Sequence, residues 1–281
     1  MKLIHVIVAL LLTIPSGFVT SGETFQVVSY NIRMLTPRDG LDNWPHRINA
    51  VTDFIVQWDL IGLQEVTPQQ VADLRERLGD TFGFYGLGRD DGKNKGEHAA
   101  VLYRKSRFEV LEESTFWLSE TPLRAGSMGW DAGCPRSVSW LRIRDKQNDT
   151  TFRFANTHFD HKGNLARSQS AAMIRDRIQS RSDGEAAIVL GDFNCLPNSA
   201  PYETLVSSDL SDSRLTAKQI IDGPQSTWNG FKKIVPNRII DHIFVAGPLI
   251  VTEFQIHNPK TDEGRFASDH LPVRVTVRTN D

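Results

Sequence analysis

Short apolar runs that each meet a cluster of acidic, amide or histidine residues constrain this chain more than any other feature of its sequence. The runs are rich in Val, Ile, Leu and aromatic residues, which is typical of buried β-strands. The clusters that end or adjoin them are, in chain order, Ser29-Tyr30-Asn31, Gln64-Glu65, Asn156-Thr157-His158, Gly191-Asp192-Phe193-Asn194, Asp241-His242 and Ser268-Asp269-His270. Strands that converge would bring these side chains to one rim. Oxygen ligands for a hard cation, together with a histidine that can take a proton from water, indicate a metal-assisted phosphoester hydrolase.

The first residues have the composition of a secretory signal. Lys2 precedes residues 3–14, which are apolar apart from His5, and small residues up to Gly22 offer a cleavage site. The apolar run is shorter than the ~20 residues that a transmembrane helix needs. We therefore expect a signal peptide over 1–22, one α/β domain over 23–281, no transmembrane segment after the signal, and a secreted or periplasmic protein. An uncleaved N-terminal anchor is the alternative.

Charge and cysteine content exclude two classes of protein. The net charge of −2 argues against a protein that holds long nucleic acid on a broad basic face, although a metal ion can supply local positive charge to a nuclease. Two cysteines, Cys134 and Cys195, are too few for a disulfide scaffold. They could form one bridge in an oxidising compartment, but we favour two buried free thiols.

Periodicity predicts alternating strands and helices. Apolar residues at helical spacing predict helices over 47–57 and 167–180, and Thr67-Pro68 predicts the start of a helix that ends at 78. The strands are expected over 25–30, 60–63, 99–103, 108–116, 137–143, 151–155, 187–190, 239–245, 250–256 and 272–277. Residues 88–96 and 119–135 are expected to be loops. Because the two half-chains have a similar order, we predict two sheets packed as a sandwich with helices outside.

Glu65 is the best single candidate for a metal ligand. It follows an apolar strand, where an unpaired carboxylate would be costly. A hard divalent cation such as Mg²⁺ prefers carboxylate oxygens. The alternative is a structural glutamate that pairs with an arginine or with backbone amides.

Asp192 and Asn194 lie two residues apart after a buried strand. On an extended backbone this spacing would point both side chains the same way. The carboxylate could then orient or deprotonate a water while the amide donates to a phosphoryl oxygen. An Asx turn is the alternative.

The last motif supplies a histidine that can act as a base. His270 could do so near neutral pH if a carboxylate holds its tautomer, and Asp241 could be that carboxylate. Asp269 would then be free to face the metal. His158, which lies in the same strand-end context, makes a purely structural role for His270 less attractive.

Taken as a set, these motifs resemble those of the endonuclease/exonuclease/phosphatase superfamily, which includes deoxyribonuclease I, neutral sphingomyelinases, inositol-polyphosphate 5-phosphatases and the deadenylases. They occur in the family's order and cover the chain after the signal from end to end. The matching segments are Ser29-Tyr30-Asn31, Leu63-Gln64-Glu65-Val66, Asn156-Thr157-His158, Gly191-Asp192-Phe193-Asn194, Ile240-Asp241-His242-Ile243-Phe244 and Ser268-Asp269-His270-Leu271-Pro272. The resemblance implies a deoxyribonuclease I-like fold, an α/β four-layer α/β/β/α sandwich.

The resemblance also implies a role for each site residue. The metal ion would be held by Asn31, Glu65 and Asp269. The substrate phosphate would be bound by Arg136, His158 and Asn194, with Glu97 supporting His158. Asp192 would orient or activate the attacking water. His270, paired with Asp241, would complete the catalytic set, and either Asp192 or His270 could be the base.

Two departures from the family's patterns bear on the substrate. Thr67 stands where deoxyribonuclease I-like members carry an arginine for DNA, which argues against cleavage of duplex DNA. Asp160 and His161, after Phe159, differ from the sphingomyelinase pattern. Residues 116–122 resemble secreted bacterial members of unassigned substrate, and the deadenylase branch is the next most similar.

We therefore predict a secreted phosphodiesterase that acts on nucleic acid or a lipid headgroup with Mg²⁺, or with Mn²⁺ or Ca²⁺, and that has no obligate protein partner. Trp117 or Trp130 could stack on a base or a sugar. A phosphomonoesterase for small polyphosphorylated molecules such as inositol phosphates is the second hypothesis. It would need a compact basic pocket, for which the candidates are Lys93, Lys95, Arg124 and Lys162. A deadenylase-like 3′–5′ RNA exonuclease and a non-catalytic binding module are the remaining alternatives.

Overall fold

Two mixed β-sheets form the centre of the structure, a computed structural model that describes residues 23–181 and 184–279. The predicted signal peptide lies outside the described residues. In chain order the strands are β1 Thr24–Asn31, β2 Leu60–Val66, β3 Phe82–Tyr85, β4 His98–Arg104, β5 Phe108–Trp117, β6 Ser137–Asp145, β7 Thr151–His158, β8 Ala186–Asp192, β9 Ser211–Asp212, β10 Gln219–Ile220, β11 Asp241–Ala246, β12 Leu249–Ile256 and β13 Val273–Thr279. The helices are α1 Trp44–Ile55, α2 Pro68–Leu78, α3 Asn164–Gln179, α4 Ala200–Val206 and α5 Ser213–Thr216, with a 3₁₀ helix at Pro37–Asp42.

The strand order explains why the motifs can meet. Within the described ranges, one sheet has seven strands in the order β10-β12-β13-β1-β2-β4-β3, and the other has six in the order β5-β6-β7-β8-β11-β9. β1 and β2 are parallel, and so are β7 and β8, so the carboxyl ends of each pair lie at one rim. β12 returns the chain from the second sheet to the first, and β13 then pairs antiparallel with both β12 and β1, with Thr24 opposite Arg278.

The layers follow from which faces are apolar. Phe25 and Val275 of the first sheet belong to the same buried cluster as Phe152 and Ile188 of the second, so this cluster fills the space between the sheets. A second cluster joins the outer face of the first sheet to α1 and α2, and a third joins the outer face of the second sheet to α3 and α4. The predicted four-layer α/β/β/α sandwich is confirmed.

A buried asparagine of the second sheet ties the two sheets together. Asn156 Nδ2 donates to the carbonyl oxygens of Leu63 at 2.8 Å and Ala100 at 2.7 Å, and its Oδ1 accepts from Gln64 Nε2 at 2.7 Å. A Cβ atom at Gly62 would lie 2.9 Å from Asn156 Cγ, so only glycine lets the side chain cross here. These contacts fix the spacing of the sheets beside the rim that carries the motifs.

Some element boundaries differ from the sequence prediction. α1 begins at Trp44, three residues before Arg47, because the Asn43 side chain accepts from the Trp44 N–H and caps the helix. β3 and α4 were not predicted, since both are short.

Neither cysteine forms a disulfide within the described chain: Cys134 is a half-buried free thiol and Cys195 a buried one. The bridge considered from the sequence is therefore absent there. Across residues 23–181 and 184–279, helices fall short of the length and apolar character that crossing a membrane requires.

Candidate functional site

The polar residues at the strand ends meet around one pocket of about 340 Å³. The predicted site residues that line it are Glu65, Glu97, Arg136, His158, Asp192, Asn194, Asp269 and His270. Asn31 and Asp241 are buried and contact this wall through hydrogen bonds to Glu65 and His270. The structure thus brings the predicted residues together, whereas their individual roles stay predictions.

Glu65 lies in a β-bulge and not, as expected, after the strand. Leu63 pairs with Ala100 but Val66 pairs with His98, so β2 has one extra residue at this point. Glu65 itself has a φ of 62°, a left-handed conformation that is strained for a residue with a side chain. The bulge gives the Glu65 carboxylate its place in the pocket wall.

Hydrogen bonds hold the Glu65 carboxylate in place. Its Oε1 accepts from Asn31 Nδ2 and its Oε2 accepts from the Met34 N–H, both at 3.0 Å. Asn31 Nδ2 also donates to Asp192 Oδ2 at 3.0 Å, while its Oδ1 accepts from the Arg33 N–H at 3.0 Å. In this arrangement Asn31 positions two carboxylates, and its role as a metal ligand stays a prediction.

Asp269 provides the second carboxylate on this side of the pocket. Arg33 Nη1 lies 3.9 Å from Glu65 Oε2 and 3.9 Å from Asp269 Oδ2. Beneath them, fully buried Arg47 donates to the carbonyl oxygens of Ile32 at 2.8 Å and Ala267 at 2.7 Å. This arginine holds together the two backbone segments that carry Arg33 and Asp269.

The two carboxylates fit a hard divalent cation. Both are partly buried, with side chains 14% and 13% exposed, and both line the pocket and offer oxygen donors. Burial raises the pKa of Asp269, and the neighbouring Glu65 carboxylate adds to the shift. A cation between the two groups would offset this excess of negative charge.

His270 and Asp241 form a buried pair. His270 Nδ1 is 2.9 Å from Asp241 Oδ2, and His270 Nε2 is 3.7 Å from Asp192 Oδ2. The three residues lie close enough to hold an ion by distance alone. However, His270 Nδ1 is already hydrogen-bonded to Asp241, and Asp241 lies behind the pocket wall. These three residues therefore fit a role in proton transfer better than a role as metal ligands. Burial alone would lower the pKa of His270, but Asp241 and Asp192 raise it well above its usual value.

Asp192 and Asn194 form a turn. The Asn194 N–H donates to Asp192 Oδ1 at 2.9 Å, and Asn194 has a φ of 47°. The expectation of an extended backbone here is wrong, and the Asx turn is what the structure contains. Both side chains nevertheless line the pocket. Burial, with a further contribution from Asp241, raises the pKa of Asp192 to about 7.

His158 faces Asn194. Asn194 Nδ2 lies 3.1 Å from His158 Nε2 and also donates to the Phe159 carbonyl at 3.1 Å. Burial and the nearby Arg136 and Arg89 hold the pKa of His158 well below its usual value, so it is neutral at pH 7. Glu97 Oε2 is 3.9 Å from His158 Nδ1, which is too far for the direct hydrogen bond expected of a supporting carboxylate.

The sequence did not identify several residues of the pocket wall, notably Arg33, Arg89 and Trp228. Arg33 lies two residues after Asn31, and this proximity could have identified it as a site residue. Arg89, in contrast, is in a loop that the sequence indicated only as charged and glycine-rich. Glu97 accepts from Arg89 Nη1 at 2.7 Å, so the two form one unit.

The basic residues proposed from the sequence do not supply the pocket's charge. None of the four, Lys93, Lys95, Arg124 and Lys162, belongs to the described pocket wall. Trp117 is buried and donates from Nε1 to the Arg89 carbonyl at 2.6 Å, so it is a packing residue and not a stacking platform.

A four-layer sandwich whose two sheets present paired carboxylates, a histidine–aspartate pair, arginines and an asparagine to one pocket is typical of phosphoester hydrolases with a deoxyribonuclease I-like fold. The chain belongs to the Endonuclease/Exonuclease/phosphatase family, whose model matches residues 28–270.

Solved structures and a curated relative are similar to this chain. The endonuclease/exonuclease/phosphatase from Bacteroides vulgatus is 38% identical, with a TM-score of 0.86, and the match covers 92% of this chain and 100% of that one. A mannosyl-6-phosphatase from Bacteroides thetaiotaomicron is 35% identical, with a TM-score of 0.81, and covers 90% and 99%. Carbon catabolite repressor protein 4 homolog 3 from Arabidopsis thaliana is 23% identical over 237 residues, 78% of this chain and 49% of the relative. The chain therefore spans about half the length of that relative.

Proposed function

We propose that this protein is a metal-dependent phosphatase that hydrolyses a phosphate monoester of a small, sugar-like molecule. The observation that carries the proposal is the compact pocket and the three arginines, Arg33, Arg89 and Arg136, among its described wall residues. A terminal phosphate carries close to two negative charges at pH 7, whereas a phosphodiester carries one. The monoester is therefore stabilised more strongly by a pocket wall that contains three arginines. The likeness to a mannosyl-6-phosphatase supports the same substrate class. The sequence alone favoured a phosphodiesterase over a phosphomonoesterase, and the present proposal reverses that preference.

Metal binding belongs to the carboxylate side of the pocket. Glu65 and Asp269 would hold the cation, for which Mg²⁺ is the first choice and Mn²⁺ or Ca²⁺ are alternatives. When bound, the cation would draw negative charge from the phosphoryl and leaving-group oxygens.

The protein's own groups handle the proton and the phosphate. Asp192, with its pKa raised to about 7 by burial and Asp241, takes a proton from the attacking water. His270, whose pKa the surrounding carboxylates raise, is cationic beside Asp192 and stabilises negative charge, while Asp241 holds the ring in place and supports its charge. Asn194 and His158 contact the phosphoryl oxygens from the opposite side.

The test is a substrate panel with purified protein, in Mg²⁺ and in chelator. The panel contains mannose 6-phosphate, glucose 6-phosphate, inositol phosphates, sphingomyelin, single-stranded RNA, and single- and double-stranded DNA. We expect the highest kcat/KM on a hexose phosphate, and loss of activity in chelator. Rapid cleavage of RNA, DNA or sphingomyelin with slow release of phosphate from hexose phosphates would reject the monoesterase proposal.

A phosphodiesterase is the second candidate, and one residue favours it. Trp228 lines the pocket on the side of His270, where its ring could stack on the base of a nucleotide leaving group. The same ring could pack against a sugar, so a Trp228→Ala variant measured on both substrate types tells the two apart.

The proposal includes export of the chain, which is based on the composition of residues 1–22. Expression in the native host, followed by N-terminal sequencing of the protein outside the cytoplasm, tests it. A mature N-terminus near Gly22 is expected, and a cytoplasmic protein that retains Met1 or Lys2 would contradict it.

A further inference from the structure

One part of the pocket wall, next to Glu97 and His158, contains two guanidinium groups, those of Arg89 and Arg136. Arg136 is 5% exposed, and among the described residues its Nε and Nη1 have no hydrogen-bond partner. Its Nη2 is 3.1 Å from His161 Nδ1, and its Nε is 3.6 Å from Asp160 Oδ2. An incompletely bonded buried cation is costly, so this arrangement is one that an anionic ligand would complete.

Arg89 has the same character. Nη1 donates to Glu97 Oε2 at 2.7 Å, and Nε is buried without a hydrogen-bond partner in the part of the chain that the structure describes. The nearest other acidic group is Asp90, whose Oδ1 is 3.9 Å from Arg89 Nε. The Glu97 carboxylate therefore orients the Arg89 guanidinium group, and other N–H donors of this group stay available for a ligand.

The backbone around Arg89 is fixed at three points. The Arg89 N–H donates to the Glu97 carbonyl at 3.0 Å, and the Arg89 carbonyl accepts from Trp117 Nε1 at 2.6 Å. Gly88 forms an antiparallel bridge with His98 at the start of β4. This loop is therefore a preorganised support for the guanidinium, and a ligand meets it with little loss of conformational freedom.

We propose that Arg89 is a specificity-determining residue: together with Arg136 it binds the terminal phosphate oxygen that a monoester has and a diester lacks. A phosphate monoester has three terminal oxygens. The metal side and the His158–Asn194 side can each engage one, and the third then meets the two arginines. A diester carries an organic group at this position, so it would leave both guanidinium groups without an anion. This inference rests on the proposed monoesterase function.

The experiment compares two substrates with one leaving group, p-nitrophenyl phosphate and methyl p-nitrophenyl phosphate, in the full chain with Mg²⁺. The variants are Arg89→Gln and Arg89→Lys. Arg124→Gln is the matched control, because Arg124 is exposed and outside the pocket wall. We expect Arg89→Gln to lose about 10- to 100-fold in kcat/KM on the monoester, as for a lost hydrogen bond to a charged group, and less than about 3-fold on the diester. Arg89→Lys should lose less on the monoester, because it keeps the charge beside Glu97.

A binding measurement gives an answer that does not depend on turnover. Inorganic phosphate should protect wild type against thermal unfolding more than dimethyl phosphate does, and Arg89→Gln should remove most of this difference. Equal losses on both substrates, or an unchanged difference in protection, would overturn the role of Arg89. If instead wild type prefers the diester, the proposed function itself fails, and this outcome is visible before any variant is made.

Discussion

At the scale of single residues, Glu65 shows how backbone strain serves the site. Its left-handed backbone costs stability, and the cost is met by the bulge in β2 and by the bonds from Asn31 and Met34. The same bonds keep the carboxylate ionised: although burial raises its pKa, nearby His270 and these two donors give Glu65 a net lowered pKa. A charged, rigidly held carboxylate is what a hard cation requires.

Glu65→Gln should therefore weaken metal binding strongly and affect the stability of the fold much less. The amide keeps the shape but removes the charge, so we expect kcat/KM to fall by about 100- to 1,000-fold, the range for losing one preorganised electrostatic contact. The Mg²⁺ concentration for half-maximal activity should rise. Steady-state kinetics over a Mg²⁺ series measures both, with exposed Glu76→Gln as the control. Near-normal turnover at low Mg²⁺ would show that Glu65 is not a metal ligand.

Asp241→Asn should impair the enzyme through His270. The 2.9 Å contact from Asp241 orients the His270 ring and helps to raise its pKa, so that the ring stays protonated. An asparagine removes the negative charge that keeps His270 protonated, so the ring becomes neutral and can adopt the wrong tautomer; the equivalent change in a Ser-His-Asp triad costs about 10⁴-fold in kcat. We expect at least about 100-fold here, and no further loss when His270→Gln is added, because the pair acts as a unit. Additive losses in the double variant would contradict the pairing, and exposed Asp222→Asn serves as the control.

At the scale of elements, the sequence predicted the presence of the strands well, but it predicted the local backbone structure at their ends less well. Apolar runs revealed the strands because burial on both faces leaves a strong signal. The bulge at Glu65 left no such signal, because it depends on pairing with β4, far along the chain. The turn at Asp192–Asn194 is local, and the sequence offered it as the alternative to an extended backbone. Arg89 was missed for the same reason as the bulge: its carboxylate partner Glu97 and its backbone anchor Trp117 become neighbours only in the folded sandwich.

Asp160 shows a carboxylate that stabilises a loop junction. Its Oδ1 accepts from the N–H groups of Lys162 at 2.9 Å and Gly163 at 2.7 Å, and its Oδ2 accepts from the Gly133 N–H at 3.1 Å. Burial opposes ionisation, but these bonds and Arg136 outweigh it and lower the pKa of Asp160 to about 2. Because the folded pKa lies below the unfolded one, the ionised group stabilises the fold above pH ~4, and this stability is lost as the pH falls toward 2.

Asp160→Asn should accordingly destabilise the protein at neutral pH. We expect a loss of about 1 to 2 kcal/mol in the free energy of unfolding, after allowance for solvent screening. Urea unfolding at pH 7 and at pH 3 measures it: the gap between wild type and variant should narrow at the lower pH. A gap that is constant or wider at pH 3 would mean that the charge of Asp160 is not what holds the junction. Asp176→Asn, exposed on α3, is the control.

At the scale of the whole molecule, the positive charge is local. The net charge is −2, yet the pocket wall contains three arginines among its described residues. A small anion in the pocket can interact with all three arginines, whereas a long polyanion would contact a protein surface that lacks a broad basic face.

Salt dependence should report this distribution. For a small phosphomonoester, and for any residual binding of nucleic acid, we expect a slope of log K against log salt no steeper than about −2, against roughly −5 to −9 for proteins with 6–10 phosphate contacts. Activity measured from 50 to 200 mM salt gives the slope, and plasmid DNA should remain uncut. Efficient cutting of plasmid DNA at physiological salt would contradict the expected substrate class and leave the metal site unaffected.

The pairing of β1, near the start of the described chain, with β13, near its end, has a consequence for synthesis of the protein. A ribosome makes Glu65, His158 and Asp192 early, but Asp269 and His270 immediately precede the strand that completes the first sheet beside Thr24. A nascent chain that ends before Asp269 would therefore have the His158–Asp192 side of the pocket without its second carboxylate and without His270. We therefore expect hydrolysis only after β13 has been made and has paired with β1, and we expect translation products that end before β13 to be inactive.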